Sequence, residues 1–203
     1  MARRKSLAFL DVGQGDCFVA DTKSGAIIFD GGSSSEDQVG RYRILPYMKY
    51  LGYQKIQIAV ISHMDIDHYS GIKELLEMGK IKYLGLPEIP KDDTMKKIIG
   101  IAKKRGTTIF YLSRGRQITT KDGSLKVLHP QKNSQMEKNA ASLVMQGKIF
   151  GYRVLLTGDV EKEGEEELLS EELERADILK AAHHGSKNST SNEFLQKVQP
   201  LSL

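Results

Sequence analysis

The sequence predicts a layered α/β protein with two sheets. Three observations lead there: short apolar strands and turns fill the first part of the chain, a strand–loop–helix unit stands near the middle, and strands and helices alternate after it. The 203 residues fit one domain, 1–203. A chain of this length buries roughly 70% of its unfolded surface.

Ser6 to Leu10, Cys17 to Asp21 and Ala26 to Asp30 read as strands, the last closed by Gly31-Gly32, which permit a sharp turn. Arg43 to Leu51 has apolar residues at helical intervals. Ile56 to Ser62 is apolar on both faces, the pattern of a central strand covered on both sides. Gly71 to Met78 is helical, Lys82 to Leu86 a strand, and Thr94 to Arg105 a basic amphipathic helix. Thr107 to Leu112 and Leu125 to His129 return to strand. Ser142 to Gln146 and Tyr152 to Thr157 read as strands joined by a hairpin connection at 147–151. Lys162 to Leu173 is an acidic helix, Ile178 to Ala182 a buried strand and Asn192 to Val198 a short helix. The closing Gln199-Pro200-Leu201-Ser202-Leu203 reads as the start of a further strand that the chain stops short of.

Composition excludes more than it names. Hydrophobic residues at 39% and charged residues at 28% are ordinary for a globular protein and rule out a disordered tail, a collagen-like fibre or a simple coiled coil. No apolar run approaches the ~18 residues of a membrane-spanning helix. The opening Met1 to Asp16 is too poor in apolar residues for a secretory leader. The lone Cys17 excludes an internal disulfide and a cysteine-based zinc site, and in its apolar strand it reads as packing. A net charge of +4 and a pI near 9.0 lean mildly towards polyanionic partners, but the basic residues are dispersed.

The chemistry concentrates in three places. Directly after the central strand runs Ser62-His63-Met64-Asp65-Ile66-Asp67-His68, with four metal-ligating side chains in six positions. In extended chain alternate residues share a side, so His63, Asp65 and Asp67 converge while His68 closes from the following turn. Imidazole with carboxylate suits Zn, Mn or Fe. Capping of the next helix by Asp67 or Ser70 would explain the acids but not two histidines. The second place is Thr157-Gly158-Asp159, an Asp at a strand end that either reaches into a site or caps a helix. The glutamates at 161, 163, 165, 166 and 167 beyond it read as a solvated face. The third is His183-His184-Gly185-Ser186 at the end of an apolar strand, able to supply a ligand and a substrate-facing group. His129 has no ligand-like neighbour in sequence and reads as structural. Asp11-Val12-Gly13-Gln14-Gly15-Asp16 is a Gly-rich polar turn without the length or Lys of a phosphate-binding loop. With no Gly-x-Ser-x-Gly elbow, metal-activated water is the reaction these residues support.

Asp30-Gly31-Gly32, His63-x-Asp65-x-Asp67-His68, Asp159 and His183-His184 stand in an order that resembles the metallo-β-lactamase superfamily. With the Asp11–Asp16 opening, Leu155-Leu156-Thr157-Gly158-Asp159 and His183-His184-Gly185-Ser186, they resemble the soluble domain of the ComEC family of DNA internalization-related competence proteins. The resemblance implies a metallo-β-lactamase-like αβ/βα sandwich of two mixed sheets with the site at the strand ends. It implies a metal-dependent phosphodiesterase, a nuclease acting on DNA during uptake, with Zn or Mn as one or two ions. By position, Asp67, His68, Asp159 and His184 would hold one cation. His63 and Asp65 would hold another, with Asp159 shared. His183 would act as acid or base, the choice between His183 and His184 as ligand staying open. Asp67 is the other catalytic candidate, and Asp30, Asn139 and Ser142 would support the ligands from behind. A parent protein of this family would carry a membrane channel, with this domain outside the cytoplasm of a bacterial cell.

Two departures stand out. Asp65 occupies a position where the superfamily has histidine, which hardens the ligand set towards Mn. The Asn139-Ala140-Ala141-Ser142-Leu143 stretch offers no imidazole, leaving the His63 side thinly liganded. The competing readings are a phosphodiesterase for small esters, and a degenerate module that binds metal or nucleic acid without turnover. Asp159→Ala is expected to abolish turnover and leave the fold largely intact.

Overall fold

A computed structural model describes residues 5–136, 139–171 and 173–202. The chain divides into two compact units, 1–86 with 91–111 and 87–90 with 112–203. The expectation of two mixed sheets holds: one has six strands in the order β1-β2-β3-β4-β5-β6, the other five in the order β11-β10-β9-β8-β7.

In the first unit, β1 (Ser6–Phe9), β2 (Phe18–Thr22) and β3 (Gly25–Phe29) form an antiparallel meander. From β3 the sheet turns parallel through β4 (Ile56–Val60) and β5 (Ile81–Pro87), and β6 (Thr108–Leu112) ends the order. A π-helical turn at Gly40–Ile44 leads into α1 (Leu45–Tyr50), and the parallel crossover from β4 to β5 runs through α2 (Ile66–Glu77). The amphipathic α3 (Asp93–Lys104) is capped by Asp92, whose carboxylate accepts from the Met95 amide at 2.7 Å. Ile28, Ile44, Met48, Ile56, Ile72, Leu75, Leu84 and Met95 are fully buried and form this unit's interior.

The largest departure from the sequence reading is α2, which begins at Ile66 and not Gly71. Its buried face is His68, Gly71, Ile72, Leu75 and Leu76. A histidine at an inward position interrupts the apolar period, so the pattern displays only the later turns. Asp67 and His68 therefore sit in the first helical turn, and only His63 and Asp65 precede the helix. Asp65 is the residue before the helix, but its carboxylate makes no capping bond.

In the second unit, β7 (Gln117–Thr120), β8 (Gly123–His129), β9 (Val144–Ile149) and β10 (Tyr152–Leu156) are antiparallel neighbours, and β11 (Ile178–Lys180) joins β10 in parallel. β7 escapes the sequence reading because Ile118 is its only apolar residue. The β9–β10 connection shortens to Phe150-Gly151, both at positive φ (55° and 87°), the two-residue turn that matches strand twist. α4 (Lys162–Leu169) stops short of Leu173 as the Ser170 hydroxyl takes the Glu167 carbonyl at 2.6 Å. α5 (Asn192–Val198) contributes Phe194 and Val198 to a core with Val144, Leu155, Leu168 and Leu179. Ser202 bridges Ile178 in parallel, so residues beyond α5 do begin to pair with β11. Among the described residues, no helix is long and apolar enough to cross a membrane.

Candidate metal centre

The first unit assembles a compact set of acids and imidazoles where β3 and β4 end and α2 begins. Asp30 follows β3 at φ 57°, the left-handed region that Asp tolerates better than most residues, and is wholly buried. Its Oδ1 accepts from the Ser62 amide at 2.7 Å, and its Oδ2 accepts from the Ser62 hydroxyl at 2.8 Å. His68 Nδ1 lies 2.9 Å from the same Oδ2. A carboxylate only accepts, so His68 carries its proton on Nδ1 and presents Nε2 as a lone pair. Ser62 has given its hydroxyl proton to Asp30, so its oxygen accepts from His63 Nδ1 at 3.0 Å. His63 thereby presents Nε2 as well. One buried carboxylate sets the tautomer of both imidazoles, whose rings lie 4.1 Å apart.

The acids gather around these rings. Asp65 Oδ2 is 3.7 Å from His63 Nε2, and Asp67 Oδ2 is 4.0 Å from His68 Nε2. Asp16, left in a polar turn by the sequence reading, brings Oδ2 to 3.6 Å from His68 Nδ1. Its backbone is tied in too: the Asp16 amide donates to Asp67 O at 3.1 Å, and Gly32 N donates to Asp16 O at 3.2 Å. Gly31 N donates to His68 O at 2.9 Å. A Cβ on Gly32 would stand 2.6 Å from Ile66 O and 2.7 Å from the Asp67 carbonyl carbon. The Asp30-Gly31-Gly32 segment thus needs glycine for close approach to the start of α2. The density of glycines around Asp16 was the one local signal that this turn packs tightly against something.

Just before β2, Cys17 is buried beside the set. Burial, with Asp30 and Asp16 nearby, pushes its thiol far above the ordinary range, so it stays protonated.

The second unit builds its own set at the ends of β10 and β11. Asp159 is almost fully buried, and its Oδ1 accepts from Lys180 Nζ at 3.1 Å and from the His183 amide at 3.2 Å. Asp159 Oδ2 lies 3.7 Å from His184 Nε2. His183 and His184 occupy consecutive left-handed positions, φ 47° and 50°, within a 3-10 turn at Ala182–Gly185. Such backbone is sparsely populated for non-glycine residues and persists only when its surroundings impose it. Here Ala182 donates its amide to Thr190 Oγ1 at 3.0 Å, and Ser189 Oγ donates to the Ala182 carbonyl at 2.8 Å.

His183 Nδ1 lies 2.8 Å from Glu161 Oε1, a partner the sequence reading had assigned to a solvated face. Glu165 and Glu167 leave that face as well. Glu165 is buried, and Glu167 Oε2 lies 2.9 Å from the buried His129 Nδ1 while Oε1 pairs with Arg114 Nη2 at 2.7 Å. Helical spacing alone does not say which acids turn inward, since the decision depends on partners distant in sequence: the Ser191 amide donates to Glu165 Oε1 at 3.0 Å, and Arg114 pairs with Glu167.

Lys180 too was passed over by the sequence reading. It also bears on the expectation for Asp159→Ala, because removing the carboxylate takes one charged partner from the nearly buried Lys180 ammonium, which keeps the Gly158 carbonyl. Breaking a buried pair of that kind costs ~3–5 kcal/mol. Asp159→Asn removes the charge as well but keeps an oxygen that can accept from Lys180 Nζ, and so is the cleaner probe. Asn139 and Ser142 lie in the turn before β9, where the Ser142 amide donates to the Asn139 carbonyl at 2.9 Å. The Ser142 side chain is buried.

The donor chemistry fits a divalent cation. In the first unit, imidazoles hydrogen-bonded from behind by carboxylate or hydroxyl and flanked by further carboxylates form the pattern seen behind metal ligands. Within the second unit, Asp159 and His184 set a buried carboxylate oxygen and an imidazole nitrogen 3.7 Å apart.

Known proteins resemble this chain in sequence or in fold. The chain is 35% identical over 210 residues to ComE operon protein 3 of Bacillus subtilis (strain 168), covering 94% of this chain and 27% of that protein. It is 28% identical to Competence protein ComA of Neisseria gonorrhoeae, covering 94% of this chain and 25% of that one. The chain spans about a quarter of the length of these relatives. Among solved structures, the metallo-beta-lactamase fold protein YhfI from Bacillus subtilis aligns with a TM-score of 0.59 at 15% identity, covering 92% of this chain and 76% of that one. At that identity the likeness concerns the fold alone. The model of the metallo-beta-lactamase superfamily matches residues 10–201, nearly the whole chain, and the chain belongs to that superfamily.

Proposed function

We propose that the chain is a metal-dependent hydrolase that cleaves phosphodiesters of DNA, in the service of competence-type DNA uptake. The observation that carries the metal-dependent part is Asp30, buried and bonded to His68 and Ser62 so that both imidazoles present Nε2. The substrate rests on the similarity to ComE operon protein 3 and Competence protein ComA, and a net charge of +4 suits a polyanion. As the chain spans about a quarter of those relatives, uptake itself would belong to a longer protein with a membrane channel, this domain lying outside the cytoplasm.

In this reading Asp67 and His68, with Asp16 beside His68, are the first unit's donors, and Asp159 and His184 are the second unit's, with His63 and Asp65 as further donors and Asn139 and Ser142 in support. Carboxylates outnumber imidazoles in that set, which favours Mn alongside Zn. A bound divalent ion supplies charge stabilisation at the phosphodiester and activates water at neutral pH. The protein's own groups supply the proton traffic. Glu161 beside Nδ1 of His183 leaves Nε2 as the atom that takes a proton from the attacking water as base and then, as acid, hands that proton to the leaving oxygen. Asp67, at the positive end of α2, keeps negative charge directed at the cation.

The test is cleavage of labelled single- and double-stranded DNA by the purified folded chain with Mn, Zn or Mg, beside EDTA and Asp67→Ala samples. Cleavage that falls at least a hundredfold in both controls is expected. Turnover of bis(p-nitrophenyl) phosphate without DNA cleavage would move the substrate to small esters. DNA binding that weakens with salt, with no turnover in any metal, would instead mark a degenerate module.

A further inference from the structure

We propose that Lys180 is a built-in cation of this centre: its ammonium takes the Asp159 oxygen that a second metal ion would use, so the chain holds one divalent ion and not two. The proposal rests on the metal-centre reading above and concerns how many ions that centre admits.

Lys180 is the last residue of β11, in register with Leu156 of the neighbouring β10. Its side chain is only 9% exposed. Leu179 points into the unit's core, so Lys180 projects to the other face of the strand. Two contacts fix the ammonium: Gly158 O accepts from Nζ at 2.8 Å, and Asp159 Oδ1 accepts at 3.1 Å. A third bond fixes the strand ends against each other, with Thr157 Oγ1 donating to the Lys180 carbonyl at 2.6 Å. The Lys180–Asp159 pair thus belongs to the framework and is no mobile surface pair. Taking an ammonium this far from water is unfavourable without a carboxylate and a carbonyl to receive it.

The consequence lies in the lone pairs of Asp159. Each carboxylate oxygen has about two acceptor positions. Oδ1 receives Lys180 Nζ at 3.1 Å and the His183 amide at 3.2 Å, so both of its positions are engaged. Oδ2 faces His184 Nε2 at 3.7 Å, close to the about 3.4 Å that separates two ligands on one tetrahedral ion of zinc size. Oδ2 is therefore the oxygen that Asp159 offers to metal, and a second ion would have to share that one oxygen with the first, across the carboxylate from the Lys180 ammonium. To spread two ions over both oxygens, it would have to bring a divalent ion to Oδ1, against an ammonium already there and in place of a backbone donor. Two positive groups on one oxygen, in surroundings drier than bulk water, repel strongly. Lys180 thus acts through Asp159 as a positioning residue: it engages Oδ1, turns Oδ2 towards His184, and supplies the positive charge of a second metal without metal exchange.

The experiment counts ions. Wild type, Lys180→Gln and Lys180→Arg are stripped with chelator, loaded with excess Mn2+ or Zn2+, desalted and measured by native mass spectrometry, with circular dichroism to certify folding. One ion per chain is expected in wild type and Lys180→Arg, and two in Lys180→Gln, whose neutral amide no longer repels an ion from Oδ1. Two ions in wild type would overturn the proposal while leaving the metal centre standing. One ion in both wild type and folded Lys180→Gln would also overturn it, since the charge would not be what limits the count. If Lys180→Gln does not fold, the counts in wild type and Lys180→Arg decide, one in each sustaining the proposal. Folded wild type that retains no ion in either metal would remove the metal-centre reading and this inference together.

Discussion

Asp30 accepts three hydrogen bonds through its two carboxylate oxygens while fully buried, and two of them lead to imidazoles directly or through Ser62. Removing its charge without changing its size tests how far the ligands depend on it. In Asp30→Asn one acceptor oxygen becomes a donor, opposed either to the Ser62 amide or to both His68 Nδ1–H and the Ser62 hydroxyl, so the network behind the imidazoles is broken. Divalent-metal affinity measured by chelator competition should fall 10–100-fold with the circular dichroism spectrum retained. An unchanged affinity would show that the imidazoles are held by packing alone. Sequence reading reached His63, Asp65, Asp67, His68, Asp159, His183 and His184 because histidines and acids at strand ends are conspicuous in a chain with only five histidines. It missed Asp16, Glu161 and Lys180, whose partners lie 52, 22 and 21 positions away by residue number (Asp16 with His68, Glu161 with His183, Lys180 with Asp159) and leave no local pattern.

At the scale of elements, the placement of α2 matters most, because its first turn carries Asp67 and His68. The helix approaches the π-helical turn at Gly40–Ile44 through Gly71, where a Cβ would stand 2.7 Å from Gly31 O, 2.9 Å from Gly40 N and 2.8 Å from Val39 Cγ1. Backbone cannot yield as a flexible side chain can, so Gly71→Ala pushes the helix outward. The substitution should destabilise the fold by ~1–3 kcal/mol, against the ~1 kcal/mol that Ala gains over Gly in an exposed helix interior. Urea denaturation of Gly71→Ala beside Gly100→Ala, a site with open space around it in α3, separates the two effects. Only the Gly71 variant should lose stability. Equal midpoints would mean that α2 has room to move.

For the molecule as a whole, stability should depend on pH through His129, which the sequence reading correctly left as structural. Its ring is fully buried, with Nε2 2.7 Å from the Ala140 carbonyl and Nδ1 beside Glu167, whose other oxygen pairs with Arg114. Burial holds the imidazole below its ordinary value near 6.5, outweighing the opposing pull of Ala140 and Glu167. The unfolded chain takes up the proton at that ordinary value, so between 6.5 and the lowered folded value protonation favours unfolding. The contribution is present above about pH 6.5 and is lost as the pH falls through the folded value. Urea midpoints should drop between pH 7.5 and 5.5, and His129→Gln should flatten that drop. A His129→Gln curve parallel to wild type would place the titration elsewhere.

What the sequence determined by itself was the class of fold, the order of most elements and the residue types of the centre. Each is written locally: strands of the sheet interior show as apolar runs, turns as glycine pairs, and ligands as histidines and acids at the ends of those runs. Tertiary structure decided the rest. It extended α2 back to Ile66, because His68 faces inward against Asp30 and not outward to water. It made β7 a strand through pairing with β8, which an apolar pattern with one member could not announce. It turned Glu165 and Glu167 inward and set Lys180 on Asp159. Hydrogen bonds and ion pairs act over a few ångströms between residues far apart in the chain, so their partners emerge only once the strands have brought them together.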